Sequence, residues 1–307
     1  MALEPKPKTA AGYSPNKTDA CEQVLVTLLG AFGTLKSTLR LVGGLVPRYL
    51  TPESPEVPAH FGTSDVDMVL NLQLMADGEG YASLGQQLKE RGFERYVNPL
   101  NGWSSGWRWM RRLSEHEYVL VEFLQGATAE SPPGKARNID GEDVAALPIE
   151  HAEIVHEWYE ERLVTASLLD GGGISRETVR YADITAFIIL KALAFDSRTE
   201  PKDAGDLIHV MQYFGPPEAV AAQFIDRAST GLHQPAVDAA LKALELRFCD
   251  CDDAEGFELT GPVSYAQFLY GKNEEDAEER MLAQRYASGL VMTVVDLIRR
   301  GLTSGSN

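Results

Sequence analysis

Cysteine is scarce: Cys21, Cys249 and Cys251 are the three in 307 residues. An odd, small number excludes a disulfide framework and points to a reducing compartment. Cys249-Asp250-Cys251 has no second cysteine pair to complete it, and its spacing fits no zinc motif. Basic residues are short as well, 28 Lys and Arg against 45 Asp and Glu, for a formal net charge of −17. Such a balance argues against broad nucleic-acid binding, leaves room for a local basic groove, and suits carboxylates that a metal neutralises. Long apolar runs are missing, so no segment is expected to span a bilayer and no membrane partner is expected. Residues 1–18 are rich in Pro, Lys, Ala and Ser and lack the apolar core of a secretory signal. The expected location is the cytoplasm. No internal repeat is evident.

What is present is ordinary for a globular chain: 44% hydrophobic and 24% charged residues, and a length sufficient for two domains. The pattern predicts a mobile arm over 1–17, an α/β part over 18–150 and a mainly helical part over 151–307, an α+β fold. In the first part, helical spacing of Val24, Leu25, Leu28, Leu29, Phe32 and Leu35 predicts a helix from Asp19 to Thr38, capped by Thr18 or Asp19. A strand over 39–42, a helix over 44–50 and a proline-bearing loop over 52–62 follow. Then come a strand over 65–72, a helix over 81–91 closed by Gly92, a strand over 93–97, and a hairpin of 107–113 with 118–124. Residues 125–150 read as a loop, with short strands near 162–168 and 177–181. Helices are predicted over 183–196, 203–214, 216–229, 235–248, 262–270 and 276–300.

Two stretches carry chemistry. Gly43-Gly44 ends a short apolar run, and Asp65-Val66-Asp67 follows about twenty residues later. On a strand, residues i and i+2 face the same way, so both carboxylates stand about 7 Å apart on one face. Like charges that close are stable when solvated or when a divalent cation lies between them. A glycine turn able to approach phosphate, followed by a carboxylate pair able to hold Mg²⁺, is a phosphoryl- or nucleotidyl-transfer arrangement. Taken alone each has a plainer reading, since Asp-x-Asp is common at strand edges and Gly-Gly in turns. Glu122 interrupts the apolar run Val119–Leu124, which predicts a central strand. It lies on a solvated face, or it is the third carboxylate of a site that holds two Mg²⁺ ions.

The second stretch begins in Ala186–Phe195, ten residues with Lys191 as the one charge. Lys191 either snorkels to the surface, the plainer reading, or holds an anion in a partly desolvated place. Arg198 follows two turns on, along the same face. Asp203 and Asp206, three apart, share a face of the next helix. Acids in a first helical turn gain about 0.3–1 kcal/mol from the helix dipole, which explains one of them well and two passably. The cluster Trp103, Trp107, Arg108, Trp109, Arg111, Arg112 offers stacking and phosphate contacts to RNA, or it is a hairpin with one aromatic core face.

Together, Gly43-Gly44, Thr63-Ser64-Asp65-Val66-Asp67, Lys191 to Arg198 and Lys202-Asp203-Ala204-Gly205-Asp206-Leu207 resemble the AbiEii/AbiGii-type nucleotidyltransferases of the DNA polymerase β-like superfamily. The resemblance covers roughly residues 40–215. It implies a small mixed sheet with flanking helices and a helical C-terminal part, and transfer of NMP from an NTP with Mg²⁺, two ions being expected. It implies Gly43, Gly44, Thr63 and Ser64 around the triphosphate and Asp65 and Asp67 as metal ligands. Lys191 is the matching lysine and Asp203 or Asp206 the later aspartate, with Arg198 beside them. Glu122 as third ligand follows from the superfamily's strand pattern. Leu45 and Val46 stand where the family often has Ser or Thr, and Phe61 where it often has Arg. Many members are toxins of toxin–antitoxin or phage-defence systems, and several act on the acceptor end of tRNA. An RNA acceptor and a cognate antitoxin are therefore expected partners. A protein or small-molecule acceptor, or a degenerate member that binds nucleotide without turnover, stays open.

Overall fold

The computed structural model describes residues 7–71, 84–138 and 144–304. The chain divides into two compact units. The first takes Ser14–Val46 and Gly62–Ala182, the second Pro7–Tyr13, Pro47–Phe61 and Asp183–Asn307. The fold is mixed α/β: a mixed sheet with helices in the first unit and a helical assembly dominated by the C-terminal part of the chain in the second.

The first unit opens with α1 (Pro15–Phe32), whose proline occupies the first turn, where a missing N–H costs nothing. It was expected to run to Thr38. Gly33, at φ 52°, ends it instead, and the chain continues as a 3-10 turn over Gly33–Thr38. Val24, Leu25, Leu28, Leu29 and Phe32 are all buried. The helix packs on the sheet, with Phe32 and Phe123 ring centroids 5.7 Å apart.

Among the described residues the sheet has nine strands. These are β1 (Leu39–Val42), β2 (Asp65–Leu70), β3 (Phe93–Val97), β4 (Ser104–Arg112), β5 (Tyr118–Gly126), β6 (Arg137–Asn138), β7 (Ala145–Ile149), β8 (Tyr159–Ser167) and β9 (Ile174–Ala182). The order is β3-β4-β5-β2-β1-β9-β8, with β7 beside β5 and β6 beside β7. The β2–β5, β1–β9 and β5–β7 pairs are parallel and the rest antiparallel. β5 is central, as its apolar run predicts. It alternates strictly: Val119, Val121 and Phe123 are fully buried, whereas Leu120, Glu122 and Leu124 are half-buried. One face of the sheet is therefore core and the other is wetter.

The expected loop over 125–150 contains strands β6 and β7. Pro148 hides β7 from sequence rules, because proline demotes a strand; it lies outside the stretch paired with β6. The helix expected over 81–91 is present as α3 (Leu84–Glu90), and residues 81–83 lie outside the described residues. Of the expected arm, residues 1–6 lie outside them too, Ala10–Gly12 form a 3-10 turn and Pro15 already opens α1.

The second unit contains α2 (Pro47–Leu50), α4 (Ile184–Arg198), α5 (Pro201–Tyr213), α6 (Pro217–Ser229), α7 (Gln234–Phe248), α8 (Thr260–Tyr270) and α9 (Ala277–Ser304). Prolines in the first turns of α5, α6 and α7 fix where each starts. Asp183 caps α4, accepting a hydrogen bond from the Ala186 N–H at 2.9 Å. Its other oxygen accepts from Arg227 of α6, also at 2.9 Å. Among the described residues no helix is long and apolar enough to cross a membrane.

Candidate active site

The acidic motif lies on β2, between β5 and β1. Paired residues of neighbouring strands share a face, so the register fixes which side chains stand together. Asp67 pairs with Val42 on β1 and with Glu122 on β5, and Glu122 pairs with Arg108 on β4. Val42, Asp67, Glu122 and Arg108 thus form one row across four strands. Asp65, two residues along, stands on the same face beside Leu120. Neighbouring strands are about 4.8 Å apart, which brings the backbones of Asp67 and Glu122 that close.

The polar residues in and beside the row are held by specific contacts. The Thr63 hydroxyl donates to Asp65 Oδ1 at 2.7 Å, and the Thr63 N–H donates to the Thr18 hydroxyl of α1 at 3.1 Å. Gly62 reaches this crossing only as glycine: its φ is +102°, and a Cβ would run into the Thr18 hydroxyl. Gly43 is required twice over. Its φ is +75°, and a Cβ would occupy the place of Asp67 Oδ2. The Asp67 carboxylate therefore packs on the bare α-carbon of Gly43. Gly44 and Leu45 complete a 3-10 turn. Leu45 and Val46 are buried and serve the core. Ser64 is half-buried between Thr63 and Asp65.

Arg108 Nε donates to Glu122 Oε1 at 2.8 Å, and its guanidinium stacks over the Trp107 ring at 4.1 Å. Glu122 is thus neutralised from the neighbouring strand. The oxygen donors of Asp65 and Asp67 are the hard type that Mg²⁺ takes. Among the described residues no three His, Cys, Asp or Glu side chains are gathered as a ready cation cage, and Glu122 is drawn to Arg108.

Lys191, Arg198, Asp203 and Asp206 belong to the second unit and form a network of their own. Lys191 does not snorkel; it is buried. Its ammonium donates to Asp203 Oδ1 at 2.9 Å and to Asp206 Oδ2 at 2.7 Å. Arg198 clamps Asp203 with two hydrogen bonds, 2.7 and 2.9 Å. Lys202 reaches both oxygens of Asp206, at 2.7 and 2.9 Å, and His60 Nε2 lies 2.9 Å from Asp206 Oδ1. A carboxylate can only accept, so His60 carries its proton on Nε2.

Burial alone would lower the Lys191 pKa, but Asp203 and Asp206 outweigh it and raise the pKa above the usual value. Burial likewise opposes ionisation of Asp206, yet Lys191 and Lys202 hold its pKa well below the carboxylate range. Asp203 is lowered too, by Lys191 and Arg198 against its burial. Burial depresses His60, and Asp206 only partly offsets that, so the imidazole is neutral. The cluster has three cations to two anions and is net positive. His209 packs on His60 with ring centroids 4.9 Å apart and on Phe61 at 5.5 Å. Phe61 also meets Phe268 at 5.0 Å. Phe61 is thus part of an aromatic cluster.

The residues singled out from sequence fall into two groups, one within each unit: Gly43, Gly44, Thr63, Ser64, Asp65, Asp67 and Glu122 in the first, Lys191, Arg198, Asp203 and Asp206 in the second. Sequence reasoning missed the pairing of Arg108 with Glu122, which alternation on β4 and the register together reveal. It also missed His60, which sits in a loop far from Asp206 in sequence and gives no periodic signal.

No family model matches the sequence, and no curated protein matches it. Among solved structures the chain is similar to JHP933 from Helicobacter pylori, at 12% identity over 96% of this chain and 98% of that chain, with a TM-score of 0.39. That likeness is too slight to bear on function.

Proposed function

We propose that the protein is a nucleotidyltransferase that moves NMP from an NTP to an acceptor hydroxyl and releases pyrophosphate. The observation that carries this reading is the row itself. Asp67 pairs with Glu122 across parallel strands, Asp65 shares their face, and Asp67 rests on the bare α-carbon of Gly43.

In this reading Asp65 and Asp67 would hold Mg²⁺, which when bound supplies charge neutralisation for the triphosphate. Thr63 keeps the Asp65 carboxylate oriented through its 2.7 Å hydrogen bond. Gly43 seats the Asp67 carboxylate on its bare α-carbon, and the Gly43-Gly44 turn is assigned to the triphosphate on the resemblance. The acceptor oxygen bonds to the α-phosphorus, the bond from that phosphorus to the bridging oxygen breaks, and pyrophosphate leaves with that electron pair. Glu122, once released by Arg108, takes the acceptor's proton. The part the resemblance gives Lys191 and Arg198, neutralising phosphate charge, rests on that resemblance alone; both are engaged by Asp203 and Asp206 within the second unit. The acceptor placed first is RNA, the end of tRNA before others, in a toxin or phage-defence role with an antitoxin as partner.

One observation favours a second reading, a nucleotide-binding protein without turnover: Glu122 is already paired with Arg108 at 2.8 Å. Incubation with each α-³²P-labelled NTP, Mg²⁺ and total tRNA, beside Asp67→Ala, separates the two. Label on tRNA from the intact protein alone supports transfer to RNA. Label on a protein band keeps the transferase and replaces the acceptor. Nucleotide bound without transfer to any acceptor supports the second reading and sinks the first.

A further inference from the structure

The hairpin of β3 and β4 stands apart from the rest of this acidic chain. Residues 91–112 hold five arginines, Arg91, Arg95, Arg108, Arg111 and Arg112, against one acid, Glu94, in a chain of net charge −17. Arg111 is buried, Arg108 is paired with Glu122, and Arg112 is exposed with a 3.2 Å contact to Glu94 that a phosphate can replace. The hairpin also exposes large apolar side chains that a folded core would normally claim. Val97 is 50% exposed, Leu100 84% and Trp103 75%. The tip that carries them is tightly turned: the Asn98 N–H donates to the Trp103 carbonyl at 2.8 Å and the Gly102 N–H to the Asn98 carbonyl at 2.8 Å. The Asn101 side chain accepts from the Trp103 N–H at 2.9 Å. Trp103 is therefore held outward by a fixed backbone.

The three tryptophans of the hairpin have separate fates. Trp109 is fully buried, and its ring N–H donates to the Gly106 carbonyl at 2.9 Å. It is core, as the plainer reading of the aromatic cluster has it. Trp107 lies half-buried under the Arg108 guanidinium, and Trp103 is open to solvent. An exposed indole, a stacked Trp–Arg pair and an excess of arginine are what a single-stranded polynucleotide needs. Bases stack on aromatic faces and guanidinium planes, and phosphates meet the arginines.

We propose that the β3–β4 hairpin is a platform for a single-stranded polynucleotide, with Trp103 and the Trp107–Arg108 pair stacking bases and Arg112 and Arg91 meeting phosphates. A duplex keeps its bases stacked on one another and cannot offer them to Trp103. Arg108 is the outermost member of the row that continues to Glu122 and Asp67. A strand lying on the hairpin thus runs toward the acidic face from the arginine that holds Glu122. Identifying that strand as the acceptor rests on the transferase reading; the binding itself does not.

The test is fluorescence anisotropy of labelled oligonucleotides of about 12 nucleotides, RNA and DNA, single-stranded and duplex. The full chain is used, with Trp103→Ala, Trp103→Phe and Arg112→Glu beside it. Single strands are expected to bind and duplexes to bind more weakly. Trp103→Ala is expected to weaken binding about tenfold and Trp103→Phe to restore most of it. Arg112→Glu is expected to flatten the salt dependence between about 50 and 200 mM. Either chemical source, RNA or DNA, supports the platform, and a preference between them identifies which is recognised. Absence of single-strand binding, duplex bound as tightly, or Trp103→Ala binding like wild type would each overturn it. Asp67→Ala is expected to lose label transfer and keep oligonucleotide binding. Loss of transfer activity in the intact chain would then count against the transferase reading alone.

Discussion

An alanine at position 43 would place its methyl group where a carboxylate oxygen of Asp67 stands, on a backbone at φ +75°. Both faults act at once, so Gly43→Ala is expected to cost about 2–4 kcal/mol of stability, measured by urea unfolding. It should also abolish whatever the Asp67 carboxylate does. Asp206 is the other residue on which much depends, since its two oxygens answer Lys191, Lys202 and His60. Asp206→Asn leaves Lys191 buried with one carboxylate fewer, and a loss of about 3–5 kcal/mol is expected. A variant with wild-type stability would show that Asp203 alone suffices to hold Lys191. His209 gives a pH dependence. Burial pushes its pKa down to about 3, against about 6.5 in an unfolded chain. As pH falls below about 6.5 the unfolded chain gains a proton that the folded chain refuses, so stability falls by up to about 1.4 kcal/mol per pH unit until the folded value is reached. Thermal unfolding from pH 7 to 4 should show this slope, and His209→Gln should flatten it. A slope unchanged in that variant would assign the acid sensitivity to other groups.

Helices were the most legible elements, and the reason lies in their ends. Pro201, Pro217 and Pro235 stand in first turns, and Asp183 caps α4. The starts expected at 183, 216 and 235 fall within one residue of those found, whereas the helix expected from 203 begins at Pro201. The strands of the acidic motif were legible as short, mainly apolar runs. β7 was not, because Pro148 is a local signal against a strand and only its non-local pairing with β5 overrides it. The same distinction holds for the candidate site. Asp65 and Asp67 announce their shared face by spacing alone, whereas the partnership of Glu122 with Arg108 needs the register of two strands. Gly205 shows what helix rules cannot see. It sits inside α5, where alanine would normally add about 1 kcal/mol of helix propensity. A Cβ there would lie 2.5 Å from the Phe268 ring of α8. Gly205→Ala is therefore expected to destabilise by about 1–3 kcal/mol, read from the unfolding midpoint, despite its better propensity. A more stable variant would mean that α8 can shift aside.

Charge belongs to the whole chain. At −17 it repels itself, and salt screens repulsion over distances beyond about 8–10 Å. Raising NaCl from about 10 to 300 mM is expected to raise the midpoint of thermal unfolding by a few degrees, while the buried Lys191–Asp206 pair contributes equally at both. A midpoint that falls with salt would mean that surface ion pairs such as Lys36–Glu177, at 2.6 Å, outweigh the repulsion. The location of that charge was legible from sequence only in part. Composition gave its sum, but that five arginines gather on one hairpin mattered only once β3 and β4 were seen to pair.

The hydrogen bond between His60 and Asp206 spans 146 positions in the chain, which bears on how the protein is made. Residues 47–61 belong to the second unit but are synthesised long before the helices they join. At about 5–20 residues per second on a ribosome, His60 and Phe61 wait about 7–30 s for α5 to exist. The first unit can gather most of its strands during that interval, since it needs nothing beyond Ala182. The segment 47–61 must meanwhile stay open to a later partner. Neither unit can be released by cutting the chain once, and a protein truncated after β9 would carry this segment with nothing of the C-terminal helices to receive it.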